Sequence, residues 1–173
     1  DLDNDAVMES YILDQGSLTI REESKTVWRS PQDWWIDDFI LGDSTNDGIA
    51  DINLSLWKSG SFGRSKPFWI REDDISIKNH FFVFNFVNGS VKPMWGSSNL
   101  AAPNCAFLIA DVDHDHKNDL IAIEGDYSQK PWCIGKYVAV WKWNGWGFSN
   151  EWRSPKGSFS HVEIEKIDGK SYI

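Results

Sequence analysis

Three segments of the chain place acidic and oxygen-bearing side chains at one shared spacing. They read DLDNDAVME at 1–9, DSTNDGIAD at 43–51 and DVDHDHKND at 111–119, and are termed the first, second and third turn. Each has an acid at its first position, an oxygen-bearing side chain at the third, Asp at the fifth and an acid at the ninth. The residues are Asp1, Asp3, Asp5 and Glu9; Asp43, Thr45, Asp47 and Asp51; and Asp111, Asp113, Asp115 and Asp119.

This spacing favours the binding of a hard cation. Side chains at the first, third and fifth positions of a tight turn converge on one point, and the carboxylate at the ninth completes the shell. A backbone carbonyl at the seventh position, that of Lys117 in the third turn, is a further ligand. Oxygen ligands of this kind suit Ca²⁺ at roughly 2.3–2.6 Å. The sequence therefore predicts Ca²⁺ as a cofactor; the alternative is a turn that holds only sodium or water.

The three turns differ in charge and in backbone freedom. Thr45 leaves the second turn one charge short, so we expect the third turn to bind most readily, then the first, then the second. Only the second turn has glycine at the sixth position, as Gly48, where Ala6 and His116 stand in the others. A tight turn at that position is easiest for glycine.

Short apolar runs around the turns predict units of antiparallel strands. Asn-Gly pairs at 88–89 and 144–145 are typical of two-residue hairpins. No stretch of 12 residues has the helical spacing of apolar positions. The predicted strands cover 9–13, 17–22 and 25–29; then 36–42, 49–57, 79–89 and 91–97; then 105–110, 119–125, 136–145 and 147–154.

A strand, an acidic turn and a second strand, repeated in this way, resemble the FG-GAP and VCBS-type repeats of integrin-like β-propellers. The resemblance covers nearly the whole chain at the level of repeats. It implies an all-β, propeller-like array of about three four-stranded antiparallel blades with incomplete terminal blades. It also implies calcium bound in the turns and an extracellular or cell-surface location, as in bacterial surface and secreted members. A β-sandwich with coincidental acidic turns is the alternative fold.

The repeats predict a single domain over 1–173. Its blades cover about 1–31, 34–98 and 104–155, with a partial blade at 159–173. The first blade lacks its first strand, and exposed sheet edges at the ends are a hazard unless they are covered. We therefore expect completion by other copies of the chain or by the rest of a longer chain.

Composition excludes several classes of partner. A net charge of −9 argues against nucleic acid or an anionic membrane surface. The sequence contains no run of 18 apolar residues, so no membrane span is predicted. Cys105 and Cys133 allow either one disulfide or two buried thiols. Since no motif for catalysis is found, we expect no enzyme but a module for adhesion, assembly or structure, with another surface protein as one conceivable partner.

Eleven tryptophans are an unusual load for this length. Phe68 and Trp69 lie in a long insertion between two predicted strands, and Trp132 lies in the matching insertion of the next unit. Such insertions often carry binding residues, so a carbohydrate-binding module is the first alternative function. A polysaccharide-acting enzyme is the second. Three tryptophans that recur at one place in successive units are expected to pack between units; they are Trp28, Trp95 and Trp152.

Overall fold

A computed structural model describes residues 1–3, 5–61, 68–72, 74–128, 133–167 and 170–173. These residues form antiparallel strands, so the all-β class predicted from the sequence is confirmed. None of them belongs to a helix that is long and apolar enough to cross a membrane. The strands are β1 (Glu9–Asp14), β2 (Ser17–Glu22), β3 (Lys25–Arg29), β4 (Trp35–Gly42), β5 (Asp51–Ser59), β6 (Ile77–Phe86), β7 (Val91–Gly96), β8 (Asn104–Ala110), β9 (Asp119–Glu124), β10 (Tyr137–Trp143), β11 (Phe148–Arg153), β12 (Glu165–Ile167) and β13 (Lys170–Tyr172).

Strands that follow one another in the chain are neighbours in the sheets. The sheets run β1-β2-β3, β4-β5-β6-β7, β8-β9-β10-β11 and β12-β13. Each is a meander, because every connection joins adjacent antiparallel strands. The four-stranded sheets and the three-stranded sheet therefore match the predicted strands of the three units.

The predicted hairpins have the backbone that their residues favour. Asn88 and Gly89 both have positive φ, at 51° and 65°, between β6 and β7. Gly145 has a φ of 98° between β10 and β11. Positive φ is accessible to glycine and tolerated by asparagine, which is why Asn88 and Gly89 close a tight hairpin. In the second pair Gly145 alone has positive φ, and the Asn144 N–H donates to the Gly147 carbonyl at 2.9 Å, so the turn lies one residue later than predicted.

Contacts divide the chain into two compact units. The first comprises Asp1–Phe39 and Ile52–Ala101, and the second comprises Ile40–Asp51 and Ala102–Ile173. In the first unit, the apolar residues Leu18 and Ile20 of β2 are buried. They share a core with residues of β4, β5 and β6, namely Ile36, Ile52, Leu54, Leu56, Phe84 and Phe86.

The second unit has its own core on β9 and β10. Ile121, Ile123 and Val140 are buried there together with Val162, which follows β11 in the chain. Cys105 and Cys133 form a disulfide with their Cα atoms 5.2 Å apart. Of the two states that the cysteines allow, one disulfide or two buried thiols, the structure has the disulfide.

The three recurring tryptophans do not share one environment. Trp28 is partly buried, with its ring centroid 5.8 Å from that of Phe84, and Trp95 is also partly buried. Trp152 is 50% exposed. The predicted packing role therefore does not extend to the third tryptophan.

Candidate cation-binding turns

Each acidic turn leads directly into a strand that forms a hairpin with the next strand of the chain. The first precedes β1, the second joins β4 to β5 and the third joins β8 to β9. β1, β5 and β9 begin at the ninth residue of their turns. The strand backbone therefore holds the last acid of each turn in position.

The carboxylate at the first position organises the turn from within. It accepts a hydrogen bond from the backbone N–H at the sixth position in all three turns. The N···O distances are 3.0 Å from Ala6 to Asp1, 2.9 Å from Gly48 to Asp43 and 3.1 Å from His116 to Asp111. The carboxylate at the fifth position accepts from the seventh N–H in the same way, at 2.7, 2.9 and 2.9 Å.

The acid at the ninth position ties the start of the turn to the strand. One oxygen accepts from the N–H at the second position, at 3.1 Å for Glu9, 2.9 Å for Asp51 and 3.3 Å for Asp119. Asp51 and Asp119 are buried residues, and the Glu9 side chain is 0% exposed. The three kinds of hydrogen bond recur in all three turns and are together termed the shared frame.

The sixth position requires a left-handed backbone in every turn. Its φ is 69° at Ala6, 87° at Gly48 and 67° at His116. The sequence-based expectation about this position is therefore confirmed. Alanine in this region is strained, because its Cβ approaches the neighbouring carbonyl oxygen.

Two carboxylate oxygens of the first turn have no hydrogen-bond partner among the described residues. Asp1, Asp3 and Asp5 each have a carboxylate oxygen within 4.8 Å of the others. Asp3 Oδ1 and Glu9 Oε1 are buried and accept no hydrogen bond from the described residues. An ionised oxygen in that state costs free energy unless a cation pairs with it. The residues of the first turn therefore fit a divalent ion with oxygen ligands.

The third turn has the same arrangement of acids. Asp111, Asp113 and Asp115 also have oxygens within 4.8 Å of one another. Asp119 Oδ1 is buried without a hydrogen-bond partner among the described residues. Burial raises the pKa of Asp119 to about 6, and the charges of Asp113 and Asp115 add to that rise.

The second turn has fewer carboxylates and satisfies more of them. Asp51 Oδ2 accepts from the N–H groups of Ser44 and Thr45 and from the Ser44 hydroxyl, at 2.9, 3.0 and 3.1 Å. Burial raises the pKa of Asp51, whereas these hydrogen bonds favour its ionised form. Asp43 and Asp47 keep the internal bonds of the shared frame.

A residue of the strand that follows each turn's own strand lies opposite the ninth position, and its charge differs from sheet to sheet. In the first sheet Glu22 pairs with Glu9 across β1 and β2. In the last long sheet Trp141 pairs with Leu120, so Lys142 follows beside Asp119. The corresponding residue in β6 is Asn85, which follows Phe84, the partner of Ile52.

Glu22 adds a fifth carboxylate to the surroundings of the first turn. Its Oε1 atom is buried and has no hydrogen-bond partner among the described residues. Burial raises the pKa of Glu22, and the charges of Asp5 and Asp3 raise it further. The charge of Lys25, which is paired with Glu22 in β3, lowers the pKa of Glu22, and the Asp1 ammonium group contacts Glu9 Oε2 at 3.2 Å. The first turn therefore has five carboxylates beside two positive charges.

Lys142 brings a positive charge into the third turn. Its Nζ atom donates to Asp115 Oδ2 at 2.8 Å and also contacts Asp113 Oδ2. These hydrogen bonds raise the pKa of Lys142, and the bond to Asp115 lowers the pKa of that carboxyl. Two of the oxygens that converge in the third turn therefore already have a cationic partner.

Asparagine side chains connect the second and third turns. Asn118 N–H donates to Asn46 Oδ1 at 2.6 Å, and Asn46 Nδ2 donates to the Asn118 carbonyl at 3.0 Å. Asn118 Nδ2 also donates to the Asp43 carbonyl at 2.9 Å. In the first turn, Asp3 Oδ2 instead accepts from Gly89 N–H at 2.7 Å.

The remaining predicted site residues are Lys117, Phe68, Trp69 and Trp132. Lys117 gives its N–H to Asp115 and its side chain is exposed. Phe68 and Trp69 are 94% and 67% exposed and pack edge to face, with ring centroids 4.9 Å apart. Trp132 lies outside the described residues.

Sequence reasoning missed the residues that face the turns from neighbouring strands. Glu22 and Lys142 stand 13 and 23 positions after the ninth residue of their turns, and nothing in the nine-residue pattern points to them. The available signal was the register of the following hairpin, which would have placed Glu22 opposite Glu9.

Comparison with known proteins assigns the chain to no group. No family model matches it, no curated protein matches it and no solved structure matches it.

Proposed function

We propose that the chain is a noncatalytic, calcium-stabilised module of the FG-GAP or VCBS type, which serves adhesion, assembly or structure outside the cell. The observation that carries the proposal is the set of buried, unpartnered carboxylate oxygens at Asp3 and Glu9. Calcium would be held in the first turn by Asp1, Asp3, Asp5 and Glu9. It would supply positive charge to the Asp3 and Glu9 oxygens that have no hydrogen-bond partner among the described residues, and with it a stable start to β1.

The order of the strands supports a propeller-like arrangement of blades. The β4-β5-β6-β7 and β8-β9-β10-β11 sheets are four-stranded meanders, and each has an acidic turn between its first and second strands. The β1-β2-β3 sheet starts from a turn in the same way and corresponds to a blade without its first strand. Blades of this kind bury their faces by stacking on one another.

Two features support an extracellular setting. Calcium sites of extracellular modules bind with dissociation constants of roughly 10⁻⁴–10⁻³ M, a range that exposed turns can reach. The disulfide between Cys105 and Cys133 is of a kind that persists in oxidising compartments.

Thermal unfolding in calcium and in chelator tests the proposal. If calcium is present at about 100 times its dissociation constant, it adds about 2.7 kcal/mol to the free energy of unfolding. For a chain of this length we expect the melting temperature to fall by roughly 5–10 °C when calcium is replaced by chelator. Magnesium at equal concentration should restore little of it, because Mg²⁺ gives up its water reluctantly. A melting temperature that ignores calcium would contradict the proposal.

Sheet edges at both ends of the chain support self-association as the form of assembly. β1 is bonded only to β2 among the described strands, and β12 and β13 form a sheet of two short strands. Added to the free edge of β1, a strand from another copy would complete a four-stranded sheet.

Light scattering over a range of concentrations tests the self-association. We expect the mass to rise with concentration, and a chain that ends at Ile164 to stay monomeric, because it lacks β12 and β13. A full chain that remains a monomer at all concentrations would contradict this form of assembly.

Carbohydrate binding is a second candidate, favoured by the exposure of Phe68 and Trp69. Aromatic side chains with a free face can stack on sugar rings, and this pair is 94% and 67% exposed. Oligosaccharides should change the tryptophan fluorescence of the native chain, and a Trp69→Ala variant should lose most of that change. Trp146→Ala is the matched control, since Trp146 is 80% exposed on another loop. Equal loss in both variants, or no response to any oligosaccharide, would contradict the assignment.

A further inference from the structure

We propose that the Lys142 ammonium group is the resident cation of the third turn, so that this turn is neutralised from within the chain and excludes a divalent ion. The first turn, which has Glu22 in the corresponding strand position, would then be the preferred metal site. This inference rests on the proposed cation-binding role of the turns and specifies which of them uses a metal. It reverses the order expected from the nine-residue pattern alone.

The contacts of Lys142 carry the proposal. Its Nζ atom bridges Asp113 and Asp115, the third- and fifth-position residues whose oxygens a metal would require. The side chain is 27% exposed, so β10 holds it against the turn rather than leaving it extended in water. Charge-assisted hydrogen bonds of this kind are stronger than neutral ones.

A metal and this ammonium group cannot both use the same oxygens at low cost. A divalent ion bound to Asp113 and Asp115 would stand roughly 4 Å from Nζ if the lysine stayed in place. Even in water, that repulsion weakens binding on the order of tenfold or more. Moving the lysine away would instead sacrifice its two hydrogen bonds.

The first turn presents the opposite case. Glu22 is paired in register with Glu9, and its Oε1 atom lies buried without a hydrogen-bond partner among the described residues. Five acidic residues therefore surround the first turn: Asp1, Asp3, Asp5, Glu9 and Glu22. Lys25 is paired in register with Glu22, and the ammonium group of Asp1 lies 3.2 Å from Glu9 Oε2. Two positive charges therefore face five acidic residues, and an external cation is the available source of further positive charge.

Terbium luminescence, excited through tryptophan, and calcium calorimetry test the inference on the full chain. Trp141 and Trp143 flank Lys142 in β10, so terbium in the third turn has donors in adjacent residues. Lys142→Met keeps the apolar part of the side chain and removes the charge. We expect this variant to gain one binding site, on the order of tenfold tighter than any binding of the native third turn.

Two further substitutions, one of them also combined with Lys142→Met, decide between the outcomes. Asp113→Asn should leave the metal stoichiometry of the native chain unchanged but abolish the site gained by Lys142→Met. Lys156→Gln removes an exposed positive charge beyond the opposite end of the same sheet and should gain no site. Circular dichroism in chelator verifies that each variant is folded.

The inference is overturned if Asp113→Asn removes a site from the native chain, since a metal would then occupy the third turn beside Lys142. It is also overturned if folded Lys142→Met gains no site. Failure of the proposed function has a different signature: Asp3→Asn would leave calcium binding unchanged, whatever happens in the third turn.

Discussion

In the first turn the strand residue beside the carboxylates is Glu22, whereas in the third turn it is Lys142. The backbone frame is nevertheless shared, with the first acid accepting from the sixth N–H in both turns. The contrast shows that a repeated motif can keep its backbone conformation while its need for an external cation changes. That need is set by the charge of one residue on a neighbouring strand, which lies outside the nine-residue motif.

The same contrast separates two ways to stabilise a crowded acidic turn. An internal ammonium group is always present, but it costs side-chain entropy and is screened by solvent. A bound metal supplies more charge and makes stability depend on its concentration. The second turn, with Thr45 and Asn85 in place of charged residues, lies between these cases.

The largest expected effect comes from the acid at the ninth position. Glu9→Gln preserves an oxygen for the Leu2 N–H but removes the charge that would face a metal. We expect it to abolish most of the calcium-dependent stability, about 2–3 kcal/mol at saturating calcium. Asp119→Asn, its counterpart in the third turn, should leave that calcium-dependent part intact. Denaturant titrations with calcium and with chelator measure the difference, and equal losses in the two variants would break the distinction between the turns.

Two smaller effects of opposite sign are expected at Glu22: weaker calcium binding, and greater stability of the metal-free chain. Glu22→Gln should weaken calcium binding on the order of tenfold, because one of the neighbouring negative charges is removed. In chelator the same variant should be more stable than the native chain, since the repulsion from Asp3 and Asp5 is relieved. The exposed neighbour Glu23 provides the control variant Glu23→Gln. Calorimetry and thermal unfolding measure the two effects, and a loss of stability in chelator would contradict the account.

The pH dependence of the metal-free protein gives an effect of about 1 kcal/mol after allowance for solvent screening. Burial raises the pKa of Asp119 to about 6, from 3.8 in the unfolded chain. The folded state therefore holds a proton more tightly, and the ionised carboxylate opposes folding. Its unfavourable contribution should shrink as the pH falls from about 7 through 6 towards 4. The difference between native chain and Asp119→Asn, measured in chelator at each pH, should show this trend, and a trend of opposite slope would contradict it.

The smallest effect is expected at the sixth position of the first turn. Ala6 has a φ of 69°, so Ala6→Gly should relieve strain and stabilise the chain by roughly 0.5 kcal/mol. Ala101→Gly, at an exposed alanine without positive φ, should be neutral or destabilising. Thermal unfolding of both variants in chelator makes the comparison; a destabilised Ala6→Gly would argue against strain at this position.

Much of the secondary structure followed from local sequence. The Asn-Gly pairs predicted two hairpins because their residues favour positive φ, and Asn88 and Gly89 have it. The left-handed sixth position also followed from the pattern, since Gly48 marked it in one of three copies. These features depend on a few adjacent residues, which is why the sequence predicted them.

What the sequence left open depends on residues far apart in the chain. Proximity of Cys105 and Cys133 required the fold, since a separation of 28 residues fixes no distance. The bridge from Lys142 to Asp113 depends on the register of β9 and β10. The burial of the recurring tryptophans was equally open, since Trp28, Trp95 and Trp152 all lie on edge strands but only Trp152 is half exposed.

The most direct test of the central claim is to locate bound ions by anomalous diffraction from crystals grown with terbium or calcium. We expect a strong peak among Asp1, Asp3, Asp5 and Glu9, and none between Asp113 and Asp115, where the Lys142 ammonium group should be seen. A vacant first turn with its carboxylates turned towards water, or an ion in the third turn beside Lys142, would contradict the account.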